Sequence, residues 1–151
     1  MKNTHGFTLI ELLIVMAVLS VLASAILPLS QMAVKRTKEI ELRRALREIR
    51  TAIDEYKEAV DEGEIDEVEG DSGYPKILEV LTEGVDLGEG IREKMKFLRR
   101  IPPDPMVEDG KWGLRSYSDD PESTSWGGKD VYDVYSRSEE TALDGTKYYE
   151  W

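Results

Sequence analysis

The sequence predicts an α+β fold, with one long N-terminal helix packed against a small C-terminal antiparallel sheet. Three observations lead there. Leu12 to Leu29 is a run of 18 residues without a charge. Leu42, Leu46, Ile49, Ile53, Tyr56 and Val60 then recur at spacings of 4, 3, 4, 3, 4, the stripe of an amphipathic helix. Beyond residue 70 the chain breaks into short segments bounded by turn residues, and ten of its twelve aromatic residues lie from Tyr74 onward. Large rings are an efficient way to bury area in a small sheet without disulfides.

Each element follows in order. As a helix the charge-free run is about 27 Å long, close to the thickness of a bilayer core. It is long enough to span a membrane or to serve as the apolar part of an export signal, which weighs against a cytoplasmic enzyme. Pro28 falls inside the run, where it removes a backbone hydrogen bond and predicts a kink. No Gly or Pro interrupts Leu29 to Glu62, and Gly63 is a natural stop. Residues 7–30 are therefore read as an apolar helix, 31–63 as its amphipathic continuation and 64–151 as an α+β head.

Within the amphipathic part the charge order is unusual: basic up to Arg50, then Asp54, Glu55, Glu58, Asp61 and Glu62. Acids at a helix C-terminus oppose the macrodipole. The basic end faces lipid headgroups, the acidic end of a neighbouring subunit, or water. Acids and glycines up to Gly73 predict a solvated loop. Lys76 to Thr82 and Ile91 to Arg100 read as short helices, and Ile101-Pro102-Pro103-Asp104-Pro105 as an extended linker. Trp112 to Tyr117 and Val131 to Ser136 read as strands, Asp144-Gly145 as a turn, and Lys147 to Trp151 as a last strand.

Composition narrows the function. With 20 Lys+Arg against 31 Asp+Glu the formal net charge is −11, so no general affinity for nucleic acid is expected. The chain has no cysteine, and His5 is its one histidine. That excludes disulfides, thiolate nucleophiles and cysteine zinc sites, and leaves imidazole chemistry only at the N-terminus. Acid pairs such as Asp119-Asp120 read as solvated loop rather than as a glycosidase-like site. No catalytic residue is assigned.

Glu11 decides between readings of the N-terminus. A secretory signal would use Ala23-Ser24-Ala25 as its cleavage pattern and start the mature chain at Ile26. A simple anchor has the length. However, Lys35, Arg36, Lys38, Arg43, Arg44, Arg47 and Arg50 follow the span against Lys2 before it, so the positive-inside rule alone puts the C-terminal side in the cytoplasm. Neither reading explains a carboxylate at the edge of an apolar helix, which costs on the order of 1–3 kcal/mol unless it snorkels or is paired.

The segment His5-Gly6-Phe7-Thr8-Leu9-Ile10-Glu11-Leu12-Leu13-Ile14-Val15 resembles the processing site of type IV pilins and type II secretion pseudopilins. The resemblance implies a leader of residues 1–6 and cleavage after Gly6 by a membrane-embedded prepilin peptidase. It also implies N-methylation of Phe7 and an apolar helix retained in the core of a helical filament. The new ammonium at Phe7 would then pair with Glu11 of a neighbouring subunit and set its axial register. In such filaments the helix loosens just before the proline, here over Val21 to Pro28.

Further along, Gly73-Tyr74-Pro75, Arg99-Arg100-Ile101-Pro102-Pro103-Asp104-Pro105, Trp112-Gly113, Tyr117, Asp133-Val134-Tyr135-Ser136 and Trp151 are similar to the major pseudopilin of type II secretion systems. That likeness implies a homo-oligomeric pseudopilus acting in export of folded proteins. It implies an inner-membrane assembly platform and minor pseudopilins as partners, and a head domain in the periplasm, reached by an active export route. It also implies calcium in the loop before the final Trp, with Glu140 and Asp144 as candidate ligands; otherwise Asp144 caps a turn. An extracellular type IV pilus-like filament and a secreted or anchored periplasmic binding domain are the alternatives.

Overall fold

The computed structural model describes residues 6–66, 70–87 and 94–151, and for residues 25, 27 and 28 the backbone alone. The elements are helix α1 (Leu9–Asp61), short helix α2 (Val80–Glu83), strands β1 (Val85–Asp86), β2 (Lys94–Met95), β3 (Trp112–Arg115) and β4 (Asp133–Ser136), and a 3-10 turn at Tyr148–Glu150. The chain forms two compact units, residues 1–37 and 38–151. The long α1 and the antiparallel strand pairs make the fold α+β, as the sequence predicts.

In the first unit, α1 begins because Thr8 caps it. The Glu11 N–H donates to Thr8 Oγ1 at 3.3 Å, and the Leu12 N–H to the Thr8 carbonyl at 3.1 Å. Glu11 lies in the first turn, where a carboxylate complements the positive end of the helix dipole. An 18-residue window of α1 has a mean hydropathy of 2.7 and is 0 % buried. By length and composition α1 can cross a membrane. The polar side chains of this stretch turn inward on the helix. Ser20 and Ser24 hydroxyls each donate at 2.7 Å to the carbonyls of Met16 and Val21, and Thr37 donates at 3.1 Å to Ala33. Internal satisfaction of this kind suits an apolar surrounding. Helical backbone continues through residue 28, the position of the predicted kink.

In the second unit the stripe is core. Leu42, Ala45, Leu46, Ile49, Ala52 and Ile53 of α1 pack with Leu78, Leu81, Leu98, Trp112, Val131, Val134, Ala142 and Tyr148. A smaller cluster of Ala59, Val60 and Ile65 gathers Tyr56, Val85, Met95 and Phe97 around the end of α1. The helix stops at Gly63, whose φ of +78° a side chain would resist. The Gly63 N–H bonds to the Val60 carbonyl at 3.0 Å and the Glu64 N–H to Ala59 at 2.9 Å. This pair of hydrogen bonds is the Schellman closure, and it turns Ile65 back onto Ala59 and Val60.

Among the described residues the sheet is two separate antiparallel ribbons, β1–β2 and β3–β4. In the second, Trp112, Gly113, Leu114 and Arg115 face Ser136, Tyr135, Val134 and Asp133. Gly113 is there for space: a Cβ on it would lie 2.2 Å from Cζ of Tyr135. The Tyr135 ring lies across this gap with the Arg115 guanidinium 4.1 Å from its centroid.

Three sequence expectations are corrected. Ile91 to Arg100 is not a helix over its described part, because Lys94–Met95 forms β2 against Val85–Asp86 and the Phe97 and Leu98 N–H groups both bond to the Leu81 carbonyl; residues 91–93 lie outside the described residues. Lys76 to Thr82 is helical only from Val80. Lys147 to Trp151 is a 3-10 turn entered through a single bridge between Thr141 and Lys147, since Tyr148 must turn inward to reach full burial.

Candidate functional site

Two sets of residues bear on function, and each belongs to one unit. The first is the entrance to α1. Gly6, Phe7 and Thr8 are non-helical and exposed, so the Gly6–Phe7 peptide bond sits in open backbone just before the cap. A Cβ placed on Gly6 meets nothing within 4 Å in this chain, so packing among the described residues gives no reason for a glycine there. Phe7 is 81 % exposed, and Glu11 is exposed one turn inside the helix. Of the expected leader, residues 1–6, only Gly6 lies within the described residues. Thr8 went unremarked in the sequence, although Thr8-x-x-Glu11 is the order of a capping box.

The second set is the C-terminal loop, residues 137–151, and the α1 residues that hold it. Glu39 is buried, and its Oε1 accepts both the Leu143 N–H at 2.7 Å and the Tyr148 hydroxyl at 2.9 Å. Burial and the neighbouring Glu39 carboxylate push the Tyr148 hydroxyl well above the usual tyrosine range. One turn further along α1, Arg43 donates to Asp144 Oδ2 at 3.1 Å and lies 4.1 Å from the centroid of the Trp151 ring. Asp144 Oδ1 takes the Thr146 hydroxyl at 2.6 Å and the Thr146 N–H at 3.0 Å. Those bonds, with Arg43 close by, hold the Asp144 carboxyl below the usual range. The Trp151 indole N–H closes the loop on Thr146 Oγ1 at 2.6 Å.

This geometry does not fit calcium. The ion needs six to eight converging oxygens, but hydrogen-bond donors and a guanidinium converge on Asp144. Glu140 is exposed and is tied to the loop through its main chain, donating to Ser138 Oγ at 3.3 Å and accepting from the Tyr148 N–H at 3.4 Å. Among the described residues no group of three or more His, Cys, Asp or Glu is placed to hold a metal. Asp144 acts instead as the turn cap that was its other reading.

A second knot joins α1 to β4. Arg50 grips Asp133 through Nε at 2.7 Å and gives Nη2 to the main-chain oxygens of Val134 at 3.1 Å and Trp151 at 2.9 Å. Arg115 approaches the same carboxylate at 3.4 Å and holds the carbonyls of Ser123 and Tyr149 at 2.8 and 3.3 Å. An open cleft of about 1050 Å³ lies beside it, lined by Arg115, Glu122, Tyr135, Arg137, Lys147 and Glu150 among others. Its charges are of mixed sign, and Arg115 is already occupied.

Residues 1–27 match the family described as the prokaryotic N-terminal methylation motif. The match covers the entrance of α1 and most of its apolar stretch. It supports a type IV pilin-like prepilin, with the processing by prepilin peptidase and the filament assembly which that motif implies. No curated protein and no solved structure matches the chain.

Proposed function

We propose that this chain is a structural subunit, not an enzyme, and that it builds the short helical pseudopilus of a type II secretion system. The observation that carries this reading is the methylation motif over residues 1–27 on a helix whose apolar surface is wholly exposed. Leu9, Ile10, Leu13, Ile14 and Val18 are each more than half exposed, an area no soluble monomer leaves in water. A bilayer before assembly and other copies of the helix afterwards both supply the missing burial.

In this reading the peptidase cuts after Gly6 and methylates Phe7. The subunit waits as a single-pass protein in the inner membrane with its head in the periplasm. The assembly platform and minor pseudopilins then draw it into the filament. Extraction moves an apolar helix from lipid to protein with little change in apolar burial, so specificity has to come from polar groups. The Phe7 ammonium and Glu11 of a neighbour supply it, because a charge pair in a low-dielectric core is favourable only in register. In a filament the helix loosens over Val21 to Pro28.

The likeness of the later motifs to major pseudopilins favours the secretion pseudopilus over a long extracellular pilus. Deleting the gene tests the choice: the expected result is retention of folded exoproteins in the periplasm, and loss of long surface filaments with normal secretion would give the pilus instead. Glu11→Ala is expected to be cut normally and to fail in assembly. Normal filaments from that variant would end the charge-pair account.

A further inference from the structure

The side of α1 turned away from the core carries an ordered charge pattern. Arg43, Arg44 and Arg47 are exposed on it, then Glu48 and Thr51, then Asp54, Glu55 and Glu58, with Glu62 just past the helix end; Arg44, Arg47, Glu48, Thr51 and Glu55 also border an open cleft with Phe97, Leu98 and Arg99. Arg44, Arg47, Glu55 and Glu58 make no side-chain hydrogen bond or ion pair among the described residues, whereas Arg43 and Arg50 are used within the head. Each of the four arginines from Arg43 to Arg50 has an acid eleven residues later: Asp54, Glu55, Glu58 and Asp61. Eleven residues are just over three helical turns, so the two members of each pair lie on nearly the same line along the helix.

From this we infer that the strip is a contact between copies of this chain. Two α1 helices run parallel with an axial offset of about 16.5 Å. Arg44 and Arg47 of one copy lie against Glu55 and Glu58 of the next. The inference deepens the filament reading and rests on it, because helices that all enter from a membrane by the same N-terminal segment run in one direction. It also accounts for the acids at the C-terminal end of α1. They are unfavourable in the isolated helix and become favourable beside the arginines of a neighbour. A helical array gives each subunit neighbours at more than one offset, so this register and the Phe7–Glu11 register belong to different neighbour pairs.

The chain has no cysteine, which makes disulfide mapping clean. In the proposed register Thr51 of one copy lies beside residue 62 of the next. The full-length double variant Thr51→Cys/Glu62→Cys is expressed in its own membrane, assembled and oxidised. The expected result is a ladder of cross-linked multimers, with none from either single variant. A dimer from Thr51→Cys alone indicates parallel pairing without the offset, or antiparallel pairing, and overturns the inference, as does an assembled double variant that gives no ladder.

Charge reversal gives a second measurement. Arg44→Glu/Arg47→Glu is expected to lower the polymer yield about tenfold with cleavage after Gly6 unchanged. Adding Glu55→Arg/Glu58→Arg is expected to restore it. An undiminished yield from the first pair overturns the proposed contact while leaving the filament reading intact. If the parent chain is neither cut after Gly6 nor polymerised, the filament reading falls and takes this contact with it.

Discussion

Replacing Glu39 with alanine removes the acceptor that ties α1 to the C-terminal loop. One carboxylate oxygen takes a main-chain N–H at 2.7 Å and a tyrosine hydroxyl at 2.9 Å, and Tyr148 is 0 % exposed. Hydrogen bonds to a charged group contribute about 1.5–3 kcal/mol each, and a buried donor left without a partner costs a similar amount. Glu39→Ala therefore costs about 3–5 kcal/mol, a large part of the 5–15 kcal/mol that holds a typical domain together. Glu39→Gln keeps an oxygen in place and costs about 1–2 kcal/mol.

Urea unfolding of the full-length chain in detergent, followed by tryptophan fluorescence, measures both. The Trp151 ring lies 5.2 Å from the Tyr148 ring and reports on the same loop. Combining Glu39→Ala with Tyr148→Phe completes a double-mutant cycle, with an expected coupling of at least about 1 kcal/mol. A Glu39→Ala cost under about 0.5 kcal/mol, the range of an ordinary surface change, refutes the argument.

Gly113→Ala puts a Cβ 2.2 Å from Tyr135 Cζ and expels a ring that also donates to the Thr124 carbonyl at 2.9 Å; a loss of about 2–3 kcal/mol in the urea assay is expected. Gly145→Ala, at φ +90° with nothing within 4 Å of its Cβ, carries backbone strain alone and costs about 1–2 kcal/mol. Stability is also expected to fall at both ends of the pH scale. Asp109, Asp119 and Asp144 are held below the ordinary aspartate range by hydrogen bonds to their carboxylates, so the stability they contribute is present above that range and lost as pH drops through their folded values. Tyr56, Tyr74 and Tyr148 are raised above 10.0, so theirs is complete below pH 10 and lost as pH rises further; Tyr148→Phe narrows the alkaline loss. Chelating calcium is expected to leave the thermal midpoint unchanged while Arg43→Ala lowers it. A drop on chelation with no effect of Arg43→Ala reverses the assignment of the loop.

What could be read from the sequence was what depends on local order. The 4, 3, 4, 3, 4 spacing from Leu42 to Val60, the stop at Gly63 and the apolar run after Glu11 each appear in the fold as α1 and its end. The strands at Trp112–Arg115 and Asp133–Ser136 lie where the sequence predicts strands, though both are shorter than the expected Trp112 to Tyr117 and Val131 to Ser136. The failures share a cause. Ile91, Met95 and Leu98 have helical spacing, but Lys94–Met95 is claimed by Val85–Asp86, and two-residue strands exist only through such pairing.

Lys147 to Trp151 is rich in aromatic residues, as strands are, yet Tyr148 is drawn inward to a glutamate 109 residues earlier. Glu39 itself carried no local signal, being one acid among many on a charged helix. The expected calcium pair fell for the same reason. Whether Asp144 faces a cation or an arginine depends on Arg43, which lies 101 residues away.

The most direct test is the intact mass and N-terminal sequence of the protein purified from its own membrane. The expected chain begins at N-methylated Phe7 and lacks residues 1–6. A chain beginning at Ile26, or one that retains Met1, contradicts the account and leaves Glu11 as nothing more than an acid in the first turn of a capped helix.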